Sequence, residues 1–285
     1  MQNLARIEPV DYLVVGHITQ DLTPNGTMYG GTASYAALTA RAMGMRVGII
    51  TAFPANVELP KWEGITIIAH PTEYATTFEN IHTPEGRIQY IHHLAEPLNM
   101  SHVPETWRNT PIVHLGPIAR EVDPLMARSF PNAFVGMTLQ GWLRDWDSKG
   151  RVHFTEWPES SFVLNKASAA VVSIEDVRGD ERIIEAMVNQ VQVLAVTEGP
   201  AGARLYWNGD VRRFRPPTVI EVEPVGAGDI FATVFFARLN STKDPWEATR
   251  CANALAAISV TRPGLQGVPT PFEVQSCFIE VIEEN

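Results

Sequence analysis

The sequence of 285 residues has only two cysteines, Cys251 and Cys277. They lie late in the chain and follow no metal-ligand or redox spacing, which argues against a disulfide framework and leaves buried thiols as the simplest reading. Positive charge is also scarce. Against 32 acidic residues stand 22 Lys and Arg, a formal net charge of −10 that disfavours a nucleic-acid or anionic-membrane surface. A small anionic ligand stays open, because a phosphate site needs only a few local amides and cations. Long apolar runs are missing too: none nears the length that spans a bilayer, and the run after Asp11 is too brief for a signal segment. The expected setting is therefore cytoplasmic, with neither a nucleic acid nor a membrane as partner.

Several signatures of catalysis are absent as well. The first apolar run leads into VVGHITQ, without the G-x-G-x-x-G of a dinucleotide fold, and no G-x-x-x-x-G-K-[ST] occurs. No H-E-x-x-H is present, and the adjacent His92 and His93 point to opposite faces of a strand, a poor chelating geometry. The eight histidines are thus expected to be structural or superficial.

What the chain does have is alternation. Short apolar runs (DYLVVGHI, RVGIITAF, PIVHLG, AFVGMT, SAAVVS, VQVLAVT) are separated by longer helical patterns, the signature of a βαβ succession and a mainly parallel sheet. TASYAALTARAMG reads as a helix stopped at Gly44, and EDVRGDERIIEAMVNQ as another, weakened in its middle by Gly179. GDIFATVFFARL and DPWEATRCANALAAISVTR are apolar on most faces and are expected to pack against the sheet or each other. Two hairpins interrupt the pattern. One spans about 74–94 around Pro84, Glu85 and Gly86, and is placed outside the parallel sheet as a small lid; the other turns at Asn208 and Gly209. No internal repeat or interdomain linker is visible, so residues 1–285 are expected to form one principal domain.

The sharpest chemical feature is EVEPVGAGDIFATVFFARL. Gly226, Ala227 and Gly228 precede a strong helix, where unpaired N–H groups and the positive end of the helix dipole suit phosphate oxygens. Asp229 sits in the first turn, placed to take a proton from an acceptor hydroxyl while the amides hold developing negative charge. Taken alone, GAGD reads first as a glycine turn closed by an aspartate cap. Context decides otherwise.

EPVGAGDIFA resembles the C-terminal signature of the PfkB, or ribokinase-like, carbohydrate kinases, and GGTASYAALTARAMG resembles their N-terminal paired-glycine signature. Both stand in the family's order and separation. The resemblance runs over nearly the whole chain, through NALAAISVTRPGLQGVPT. It implies a three-layer α/β/α sandwich with a mainly parallel central sheet and a small, reduced β lid, the site lying at the carboxyl ends of the strands.

By the same resemblance, Asp229 is the catalytic base and Gly226, Ala227 and Gly228 form the anion hole. Asp21 holds acceptor hydroxyls, and Gly30 and Gly31 let the backbone approach the substrate; a tight turn before a helix explains these two glycines equally well. Four departures from the family pattern stand out. Glu223 and Pro224 replace its Asp-Thr. Tyr35 stands where sugar kinases often carry a substrate-contacting Asn, which suggests a different or bulkier acceptor, or stacking on a ring. Ser173 to Asp176 replaces the Asn-x-x-Glu that organises magnesium; Asp176 is kept as an outer-sphere Mg²⁺ ligand, with a helix-start acidic residue as the plain alternative. Finally, only a few residues separate Asp21 from Gly30, so the strands usually inserted there are expected to be short or missing.

Further candidates are Gln140 and Arg144, just after a strand, with Arg144 either meeting the transferred phosphate or forming a surface salt bridge. Thr197 and Gly199 in TEGPAGA, Asn253 on a late helix, and Gly264 are expected on the nucleotide side. The expected activity is transfer of the γ-phosphate of ATP, with Mg²⁺, to a hydroxyl of a sugar or a cyclitol such as inositol. A nucleoside acceptor and a non-catalytic ligand-binding role are the alternatives, and the expected assembly is a monomer or weak homodimer.

Overall fold

The structure is a computed structural model and describes residues 7–24, 26–83 and 86–278. In chain order its strands are β1 (Tyr12–Val15), β2 (Thr19–Thr23), β3 (Gly26–Gly30), β4 (Val47–Pro54), β5 (Ile65–Thr72), β6 (Thr77–Thr83), β7 (Gly86–His93), β8 (Ile112–Leu115), β9 (Phe134–Thr138), β10 (Arg144–Trp146), β11 (Val152–Phe154), β12 (Ala169–Ser173), β13 (Val193–Thr197), β14 (Ala203–Trp207) and β15 (Asp210–Phe214). The α-helices are α1 (Gly31–Ala42), α2 (Ser160–Leu164), α3 (Glu181–Val188), α4 (Ala227–Thr242), α5 (Pro245–Ser259) and α6 (Pro271–Phe278).

The main sheet runs β15-β14-β13-β12-β9-β8-β1-β4-β5 and is parallel from β13 to β5, with β14 and β15 added antiparallel at one edge. Its strands are apolar at successive positions because both faces are covered. Leu13, Val15, Val113, Leu115, Ala170 and Val172 face a layer built around Trp107, Trp142 and Trp157. Their neighbours Tyr12, Val14, Ala169 and Val171 face α1, α4 and α5. This is the expected α/β/α sandwich. In α4, Ile230, Phe231, Val234, Phe235 and Phe236 are all buried, since the helix lies between the sheet, α1 and α5. The ring of Phe236 occupies the space a Cβ on Gly136 would need, so β9 and α4 approach closely beneath the site.

The small sheet has the order β3-β2-β6-β7. The hairpin expected near 74–94 is present as β6 and β7, although the Pro84 and Glu85 assigned to its turn lie outside the described residues. The segment between Asp21 and Gly30 was expected to be reduced; it is short but supplies both β2 and β3, and β2 pairs parallel with β6. Its root is tied by His17, whose ring bonds Thr76 Oγ1 at 2.7 Å before β6 and Glu96 O at 3.0 Å after β7.

The helix read across EDVRGDERIIEAMVNQ is shorter than its pattern. Arg178 and Gly179 take left-handed backbone (φ 53° and 75°), and Asp180 caps Arg182 N–H at 3.0 Å, so α3 starts only at Glu181. The β10–β11 hairpin, inside a stretch with no clear alternation, was not anticipated.

Candidate active site

β1 lies between β4 and β8, so the chain leaves it towards one side and later returns to the other. In parallel sheets the crevice outside the carboxyl ends of the strands at such a point is where ligands bind. A cleft of about 1030 Å³ opens there. Residues at or just beyond the ends of β9, β12 and β13 line it: Thr138 and Gln140, Ser173 and Asp176, Thr197 and Gly199. From the opposite side come Asp21 of the small sheet, Gly31 and Tyr35 of α1, and Gly226 to Asp229 at the start of α4. Residues assigned to one site from widely separated segments thus share one cleft. Gly30 and Gly264 are not among its lining residues.

Asp229 is not the cap of its helix. The cap position is Gly226, in left-handed backbone at φ 84°, and Asp229 is the third helical residue, directed into the cleft. Glycine is required at 226 twice over, since a Cβ would be strained at that φ and would overlap the Tyr35 ring. Ala227 N–H donates to Pro224 O at 3.2 Å, a turn bond, whereas Gly228 N–H belongs to the first helical turn, where the helix offers no acceptor.

Thr32, in the first turn of α1, donates its hydroxyl to Asp229 Oδ1 at 2.7 Å. No local pattern marks Thr32 as functional, although it follows Gly30 and Gly31 directly. Burial pushes the Asp229 carboxyl up to about 6; the Thr32 bond and the Arg144 charge pull the other way, and Asp176 adds repulsion. Some access to water remains through the open cleft, but α1, α4 and the strand ends close the other sides.

Arg144 is buried, with 9% of its surface exposed, and donates to Ile118 O at 3.2 Å. The surface salt-bridge alternative therefore does not apply; the neighbouring Asp145 is the one that pairs outward, with Arg120 at 3.4 Å. Gln140 Nε2 donates to Asp176 Oδ1 at 3.2 Å, and Asp176 Oδ2 accepts Ser173 N–H at 2.9 Å. Asp176 belongs to the turn after β12, not to a helix start, so that alternative is also set aside.

Tyr35 is buried against Gly226, and its phenol is raised well above the usual range by burial and by the charges of Asp229, Glu223 and Asp21. The phenol stays protonated, with its ring committed to packing. Of the paired glycines, Gly30 makes room for the Asp21 carboxylate, and Gly31 (φ 80°) for His17 O and Thr19. The close approach is thus made by the protein's own β2. Gly264 N–H donates to Glu223 Oε2 at 2.9 Å, pinning the loop that leads to Gly226. Asn253 Nδ2 donates to Phe214 O at 3.1 Å and lines the far end of the cleft with Pro216, Pro217, Ala256 and Val260.

Residues 159–271 match the model of the pfkB family carbohydrate kinases. Over nearly the whole chain the backbone is similar to an Arabidopsis thaliana ribokinase solved with ribose and ATP (TM-score 0.71, 16% identity, 95% of this chain and 99% of that one). A segment that matches the PfkB model thus lies within a fold shared with that ribokinase. A pyrophosphate-dependent kinase of the ribokinase family, solved with a pyrophosphate analogue and myo-inositol, is similar at TM-score 0.77 and 17% identity, over 93% of this chain and 99% of that one. Among curated relatives, an inositol 3-kinase of Zea mays is 30% identical over 148 residues, 51% of this chain and 38% of that protein. One of Oryza sativa subsp. japonica is 39% identical over 75 residues, 26% of this chain and 18% of that protein. The chain thus matches well under half the length of these relatives. The PfkB match takes in Asp176, Thr197, Gly199, Gly226 to Asp229, Asn253 and Gly264, while Asp21, Tyr35 and Thr32 precede it.

Proposed function

We propose that this protein is a kinase that transfers the γ-phosphoryl group of ATP to a hydroxyl of a small polyol, with a cyclitol such as inositol the first acceptor to test. The observation that carries the reading is Asp229: a carboxylate in the first turn of α4, oriented by Thr32 and raised to about 6, facing the cleft that also holds Asp21 and Arg144. A base titrating near 6 is largely ionised at neutral pH yet still able to take a proton, the balance general-base catalysis needs.

In this mechanism Asp21 and the small sheet position the acceptor, and Asp229 Oδ accepts the proton of the attacking hydroxyl. The acceptor oxygen forms the new bond to the γ-phosphorus while the bond to the β,γ-bridging oxygen breaks, and the electron pair leaves with ADP. The first-turn N–H of Gly228 and the Arg144 guanidinium stabilise charge on the transferred group, the main demand of phosphoryl transfer.

The residues present fit Mg²⁺. Among the described residues no three His, Cys, Asp or Glu side chains form a metal-holding group, so a divalent ion here would rest on Asp176, with water and donor phosphates completing its shell. Oriented by Gln140 and by Ser173 N–H, Asp176 would hold one of those waters. When bound, the ion neutralises charge on the donor phosphates.

The donor has a second reading, pyrophosphate, raised by the similarity to a kinase that uses it. The extension of the cleft between Pro216, Pro217, Asn253 and Ala256 supports ATP, because it offers a walled space where a nucleoside fits and pyrophosphate would leave it empty. The deciding experiment measures phosphate transfer from Mg·ATP and from Mg·pyrophosphate to a panel of inositols, sugars and nucleosides, beside Asp229→Asn. Acceptor-dependent ADP release that falls about 10²- to 10⁴-fold in the variant is the expected result. Silence with both donors would refute the kinase reading.

A further inference from the structure

Cys251 and Cys277 are 26 positions apart, yet their sulfurs lie 2.9 Å from each other between α5 and α6. Cys251 is fully buried in the apolar layer beneath α5, while Cys277 is half-buried near the end of α6. A disulfide has an S–S length of about 2.05 Å, so the sulfurs need approach by only about 0.9 Å, within reach of small side-chain rotations.

We propose that Cys251 and Cys277 are an oxidisable dithiol, closed to an intrachain disulfide by a low-molecular-weight disulfide or by hydrogen peroxide. Exposure sets the order of events, because only Cys277 can be reached from solvent. The net shift agrees: the hydrogen bond from Cys251 lowers the Cys277 thiol and raises that of Cys251, and Arg250 and Arg238 add to the lowering against burial and the charge of Glu247. The thiolate is the attacking form. With a low-molecular-weight disulfide, Cys277 S⁻ attacks one sulfur, forms a mixed disulfide and releases one thiolate. Cys251 then loses its proton and attacks Cys277 Sγ, expelling the second thiol. Two protein thiols are oxidised and one external disulfide is reduced to two thiols. With peroxide, Cys277 becomes a sulfenic acid with release of one water, and closure by Cys251 releases a second.

The closed loop contains Asn253, Ala256 and Val260, which line the far wall of the cleft, and the turn of Gly264 that holds Glu223. A staple at its base ties α6 to that wall. The inference does not depend on what the cleft binds, since neither cysteine lines it.

The test treats the full chain with oxidised glutathione, quenches free thiols and, without reduction, identifies the peptides released by a protease that cleaves after glutamate, which separates Cys251 from Cys277 at Glu273. The expected product is a peptide pair linked through Cys251 and Cys277, reopened by dithiothreitol, with the thermal midpoint of the oxidised protein raised by roughly 5–10 °C. Cys251→Ala, which keeps the site apolar, should halt at a glutathione adduct on Cys277, and Cys277→Ser should leave Cys251 unmodified in folded protein. Two thiols that both remain titratable in the treated wild type, or sulfinic acid on Cys277 without the linked peptide, would overturn the proposal.

Discussion

Thr32 Oγ1 donates to Asp229 Oδ1 at 2.7 Å, joining the first turns of two helices whose contacting residues are 197 positions apart. One side chain therefore sets both the direction and the charge of the candidate base. Removing the hydroxyl removes an influence that holds the Asp229 carboxyl down. Thr32→Val keeps the methyl that packs at Gly116, so the fold should persist. Turnover at neutral pH is expected to fall about tenfold, the scale of one hydrogen bond to a charged group. The acidic limb of the pH–rate profile should move to higher pH, and Thr32→Ser should restore both. A limb that stays in place would show that Thr32 does not act on the base.

Asp229 also predicts a pH-dependent stability. Its folded carboxyl is raised from the ordinary 3.8 to about 6, so the folded chain binds that proton more tightly than the unfolded one. The contribution is fully present below about 4 and is lost as pH rises through about 6. Asp229→Asn escapes the loss. It should be more stable than wild type at pH 8 by about 1–3 kcal/mol, with the gap closing towards pH 4, as read from denaturant unfolding at both pH values. Equal midpoints at pH 8 would contradict the burial argument.

Two glycines of GAGD separate folding from function. At Gly226 an alanine meets both a left-handed φ and the Tyr35 ring, and Gly226→Ala should lower stability by about 2 kcal/mol or more. At Gly228 nothing lies within 4 Å of the added methyl and φ is ordinary, so Gly228→Ala should fold at least as well as wild type. Its methyl would nonetheless stand on the cleft lining and narrow the space for the donor, weakening its binding. Thermal melts together with donor KM measure the contrast; equal stability of the two variants would refute it.

Asp176 and Gln140 act as a pair, linked at 3.2 Å. With Asp176→Ala, half-maximal activity should need about 10- to 100-fold more Mg²⁺, and Gln140→Ala should move the same way by less, since it only orients the carboxylate. Titration of activity against Mg²⁺ at fixed donor concentration gives the answer. An unchanged Mg²⁺ requirement in Asp176→Ala would remove the residue from the metal's surroundings.

Periodicity and punctuation were enough to determine much of this protein. The apolar runs became strands, the α/β/α layering followed from strands apolar at successive positions, and Asn208 and Gly209 made the turn expected of them, at φ 51° and 77°. GAGD marked the helix mouth because glycine and a first-turn carboxylate are local requirements of such a site. Other features depended on contacts that no local pattern records. Thr32 reaches Asp229 across 197 positions, and the Cys251 and Cys277 thiols meet only when α6 packs on α5. Gly30 and Gly31 were visible as a pair, but that they make room for Asp21, His17 and Thr19 follows from how β2 folds back on α1. Strands β2, β3, β10 and β11 are no longer than five residues and lie outside the parallel core, so their pairing comes from neighbours and not from an apolar repeat. Arg144 could be read either as a phosphate contact or as a surface salt bridge, and the backbone path after β9 turns it inward. Local backbone preference and hydrophobic period are properties of a segment and can be read along the chain, whereas the partner of a polar side chain is set by which segments packing brings together.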